Sequence, residues 1–139
     1  MQRMNIFVLA FVGGLVGAVL MDITETYAAK VGITSGVNVA LIGWWCIGLT
    51  QGRLRHVNIL HTRPLPGEVD AGWAFHVFVG GGGLALIYPA VLQLSGLQPT
   101  SHHLLGGLLF GLATCLLPWF IFLPSFGWGN FGRCGLPAA

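Results

Sequence analysis

The sequence predicts an all-helical integral membrane protein with three spans and one shorter helix that is interfacial or re-entrant. Three observations predict it. Of 139 residues, 55% are apolar and 7% are charged, whereas a soluble domain carries about 25% charged residues. No Asp, Glu, Lys or Arg occurs in the 62 residues from Ala71 to Gly132. A hydrocarbon core about 30 Å thick takes about 20 apolar residues per helical crossing, so this run holds two crossings and a short loop. Six basic against four acidic residues make no electrostatic footprint for nucleic acid. The composition also speaks against a water-soluble enzyme domain, and the whole chain, 1–139, reads as a single membrane domain.

The first span is expected over residues 4–28, where MNIFVLAFVGGLVGAVLM opens the helix. Arg3 before an apolar core is also how a secretory signal begins, but Asp22 and Glu25 fall where a signal places small neutral residues. The segment therefore reads as a retained helix. A second uncharged stretch, Val31 to Gly52, contains Ser35, Asn38 and the pair Trp44-Trp45. Tryptophan prefers the interface to the hydrocarbon centre, so a helix over 37–50 is expected to lie at the interface, with a four-span arrangement as the alternative.

The polar stretch 51–69, within QGRLRHVNILHTRPLPGEVD, is the one basic loop. The remaining spans are expected over 70–94 and 102–123, the latter starting after Thr100 or Ser101, and a glycine- and aromatic-rich tail, 124–139, is too broken to cross again. Pro89 and Pro118 are expected to bend their helices. Basic loops stay cytoplasmic. Both arrangements put five basic residues inside and one outside, Lys30 in the four-span case and Arg3 in the three-span case. The rule places the 51–69 loop inside and leaves the N-terminus open.

The order of QGRLRH, then GEVDAGWAFH at a helix start, then LLPWFIFLPSFGWG at a helix end resembles a family of small bacterial inner-membrane proteins, domain of unknown function 2938. The resemblance runs from Met4 to Trp128. It implies a multi-pass protein of the bacterial inner membrane and no particular activity. Family members place an arginine before a tryptophan in the second segment, where this chain reads Gly43-Trp44-Trp45; an arginine there suits an interfacial helix and so favours three spans. Members also continue into a further basic stretch and a final helix, whereas this sequence stops at Ala139.

Candidate chemistry is sparse. Asp22 and Glu25 share a helix face and, with His56 or His61, could serve as metal ligands or proton carriers. The preferred reading pairs them with Lys30 or Arg53 at the end of the first helix, with no metal. His76 lies between Gly72 and Gly80, four residues away on either side. Glycines above and below a helix histidine leave a flat space that a tetrapyrrole (haem or chlorophyll) could fill, with the imidazole as axial ligand. The alternative is close packing of another helix beside His76. Arg53, Arg55 and Arg63 are expected to meet anionic lipid headgroups, each worth about 1 kcal/mol; the glycine-rich cradle typical of phosphate-substrate sites is absent. Cys46, Cys115 and Cys134 suggest neither a disulfide nor a zinc site, and no nucleophile can be paired with a base, so no catalytic residue is named.

Gly13 with Gly17, and Gly107 with Gly111, are small-xxx-small pairs that let helices approach closely. Three helices enclose little interior, so several such faces must meet lipid or other transmembrane helices. The functional expectation is a non-enzymatic accessory or packing subunit of a larger membrane complex. The alternatives are a small transporter or channel component using Asp22, Glu25 and His76, or a tetrapyrrole-binding subunit.

Overall fold

The computed structural model describes residues 5–33, 38–96 and 103–134. Three helices are long and apolar enough to cross a membrane: α1 (Ile6–Lys30), α3 (Glu68–Ser95) and α4 (Leu104–Ser125). A shorter apolar helix, α2 (Val39–Thr50), has 12 residues, and at 1.5 Å per residue it spans about 18 Å. That is too short for a hydrocarbon core about 30 Å thick. The helix start expected near Thr100 and Ser101 lies outside the described residues.

The chain divides into two compact units, Met1–Val39 with Trp73–Ser101, and Ala40–Gly72 with His102–Ala139. In the first, Asn5 caps α1 by accepting the Phe7 amide at 3.0 Å. Helix α1 then packs against α3 through small residues. A Cβ added at Gly81 would stand 2.8 Å from the Ala18 side chain and 2.9 Å from the Gly14 carbonyl oxygen, and one at Gly82 would collide with the Phe11 ring. These contacts pair early α1 with late α3, and Asp22 with His76, so the two helices are antiparallel. Four spans would make them parallel. The antiparallel packing is that of the three-span arrangement.

Neither long helix after the loop is wound uniformly. Phe75–Gly83 of α3 and Pro118–Phe122 of α4 are π-helical. Each helix also has a single turn residue, Leu86 and Cys115, and each of these stands three residues before a proline. Pro89 and Pro118 have no N–H to return to the preceding turn, so the winding changes where that bond is missing. At the end of the α4 π segment the Leu123 amide bonds back to the Pro118 carbonyl, five residues earlier, as a π turn requires.

In the second unit the loop after α2 is clamped by the tail after α4. The His56 amide donates to the Ser125 carbonyl at 2.8 Å and the Ile59 amide to the Phe126 carbonyl at 2.9 Å. Gly127, at φ +86°, lies where any Cβ would strike the Val57 carbonyl. Asn58 accepts from the Leu60 amide at 3.0 Å and from the Trp128 indole at 3.4 Å. Ile59 is fully buried, and Trp45 packs on Phe122 with ring centroids 4.8 Å apart. The tail thus serves as a strap for the basic loop.

Candidate functional site

In the first unit the two helices meet at ionisable side chains. His76 Nε2 lies 2.9 Å from Asp22 Oδ1, with both side chains largely shielded, at 14% and 21% exposure. A carboxylate only accepts, so the ring nitrogen donates. His76 occupies the second position of the π segment, beside Trp73, whose ring stands edge-on at 6.0 Å. Ionisable residues within spanning helices are rare and face a partner, and π-helical turns concentrate at functional positions. The pair can hold a proton between two groups, and it also fixes one helix against the other.

This geometry corrects several expectations. Asp22 meets His76 rather than Lys30 or Arg53; Lys30 lies over the Tyr27 ring at 5.4 Å instead. Both residues of the pair sit on facing apolar helices, which makes them better partners than the solvated arginines. Glu25 forms no hydrogen bond or ion pair among the described residues, and these residues also contain no cluster of three metal-ligating side chains. Around His76 the structure differs from the flat space expected between Gly72 and Gly80. His76 Nε2 is committed to Asp22, Gly72 is buried, and the glycine on the α1 side is Gly81 rather than the exposed Gly80. The π turn adds nearly one residue per turn, which shifts the facing position by one.

The same one-residue offset applies to α1. Gly14 and Ala18 meet α3, while Gly13 and Gly17 have nothing within 4 Å of where a Cβ would stand. Consecutive glycines at 13 and 14 allow either register, and the 3.6-residue period cannot choose between them. Gly107 and Gly111 likewise have no atom within 4 Å of a Cβ position, so within its own unit this face of α4 is bare.

The second unit sorts the arginines. Arg53 and Arg63 line a common cleft with His56, and Arg55 does not. Beside them, the α2 backbone lies so close to the start of α3 that a Cβ at Gly43 would collide with the Glu68 carbonyl. The Glu68 carboxylate receives the Trp44 indole N–H and, at 2.6 Å, the Leu65 amide. Sequence reasoning missed this link. A tryptophan pair and a lone carboxylate at a helix start were its only signal.

The chain belongs to the family described as Protein of unknown function (DUF2938), which it matches over residues 11–136. No curated protein matches it, and no solved structure does.

Proposed function

We propose that the protein is a non-enzymatic accessory subunit of a larger membrane complex, held there by helix packing, in the bacterial inner membrane. The observation that carries this reading is the division of its small-residue faces. Gly14, Ala18 and Gly81 are consumed within the chain, whereas Gly13 with Gly17 and Gly107 with Gly111 present the same close-approach chemistry with no neighbour at their Cβ positions. Small residues at such spacing favour helix–helix contact in lipid, where the hydrophobic effect supplies no drive. The Asp22–His76 bond and the glycine contacts make α1 and α3 a preformed pair for a partner to receive. Arg53, Arg55 and Arg63 place positive charge beside the membrane, where anionic headgroups would gather, and the bias of basic residues makes that side the cytoplasmic one.

One observation favours a second reading. An Asp–His pair between spanning helices, at a π-wound stretch, is chemistry a proton-coupled transporter component would use. Native mass spectrometry of the protein released into nanodiscs from its own membrane separates the two. The subunit reading expects a co-released protein at fixed stoichiometry. A lone monomer, together with proton flux in proteoliposomes that Asp22→Asn abolishes, would replace it with the transporter reading.

A further inference from the structure

The loop between α2 and α3 encloses a cleft of about 300 Å3, at the lower end of the size of small-ligand sites. Helix α2 contributes Trp44 and Gly48, and the chain beyond it contributes the polar side chains of Gln51, Arg53, His56, Thr62 and Arg63. No carboxylate lines it. Glu68, which bonds two of the lining residues, has its Oε2 occupied by the Trp44 indole and the Leu65 amide. Among the described residues no carboxylate lies within ion-pair distance of Arg53 or Arg63.

His56 gives the cleft its direction. Its backbone is fastened to the tail through Ser125, and its Nδ1 lies 3.5 Å from the Thr62 hydroxyl. Its Nε2 is buried and has no hydrogen-bond partner. That nitrogen stands against α2 at Gly48, 3.4 Å from where a Cβ would be. In the tautomer in which the Thr62 hydroxyl donates to Nδ1, Nε2 carries the proton and requires an acceptor. Buried polar groups are otherwise paired in native proteins. Arg53, Arg63, Gln51 and the unpartnered His56 Nε2 therefore line one small space.

We propose that this cleft binds a phosphate group, held by Arg53 and Arg63 with His56 Nε2 as the third donor. A phosphate offers enough oxygens for two planar guanidinium forks and a further N–H, which the two oxygens of a carboxylate do not. The source is the headgroup of a phosphomonoester lipid or a soluble phosphomonoester. Recognition runs through placed side chains, in contrast to the glycine-rich cradle that sequence reasoning sought, and in contrast to a diffuse basic surface it leaves Arg55 out. The site stands whether or not the protein docks in a larger complex.

The test uses the full chain in a neutral detergent, with binding read by native mass spectrometry for dioleoyl phosphatidic acid against dioleoyl phosphatidylcholine, and by calorimetry for glycerol 3-phosphate. Arg53, Arg55 and Arg63 are all exposed, so their substitution leaves the packing intact, and thermal unfolding confirms it. The expected result is at least tenfold preference for the phosphomonoester lipid, or binding of glycerol 3-phosphate, weakened about tenfold by Arg53→Gln and by Arg63→Gln and clearly less by Arg55→Gln. Lipid binding alone identifies the headgroup as the source, and glycerol 3-phosphate binding alone a soluble ligand. Equal weakening by Arg55→Gln, or no preference for either probe, overturns the proposal.

Discussion

His76 donates from Nε2 to Asp22 Oδ1 across 2.9 Å, and this bond joins two antiparallel apolar helices. Bonds of this kind in membranes contribute about 0.6 kcal/mol on average and up to about 2. His76→Leu is expected to lower stability in mild detergent by roughly 1–2 kcal/mol. The double variant with Asp22→Ala should lose less than the sum of the singles, because they share one interaction. Additive losses in denaturant titrations of all three would show that the two side chains are not coupled.

The glycine contacts give a sharper contrast. Gly81→Leu must displace either Ala18 or the α1 backbone, and overpacking of this kind costs about 1–3 kcal/mol or more. Gly13→Leu, one position from the contact and open at its Cβ, should change the stability of the isolated protein by no more than about 0.5 kcal/mol. Thermal unfolding of the two variants side by side checks the register of the helix pair.

Topology follows from the antiparallel packing. In a background with Cys46, Cys115 and Cys134 replaced, Ile33→Cys and Arg55→Cys should react with an impermeant maleimide from the same side of the membrane, and Ser95→Cys from the other. Labelling of Ile33→Cys with Ser95→Cys would restore a crossing for α2.

Glu68 ties α2 to the start of α3. Glu68→Ala leaves the Trp44 indole and the Leu65 amide without their acceptor, a loss of about 1–3 kcal/mol for groups shielded from water. Glu68→Gln keeps an acceptor oxygen and should recover most of it. Intrinsic fluorescence during unfolding follows both, since Trp44 reports directly.

Much of the fold is legible in the sequence because lipid imposes one strong constraint: apolar length. Three apolar stretches of crossing length are visible in the sequence and three helices long and apolar enough to cross a membrane form, while the 12 residues of α2 set it apart from them. The site is less legible. Asp22 and His76 are each visible as ionisable residues in apolar surroundings, but their meeting depends on which of Gly13 or Gly14 faces α3. That register is settled by three-dimensional packing and by a π segment that periodicity does not announce. The tail is another case. Phe126, Gly127 and Trp128 read as a composition of small and aromatic residues, and only the backbone bonds from His56 and Ile59 reveal a strap.

The subunit role is tested most directly in intact membranes. A photoreactive benzoylphenylalanine in place of Leu108, beside the open Gly107 and Gly111 of α4, should crosslink on illumination to one discrete protein other than a second copy of this chain. The adduct should disappear when Gly107→Leu and Gly111→Leu close that face. Crosslinks to lipid alone, or an adduct indifferent to those two substitutions, would contradict a packing role for this helix.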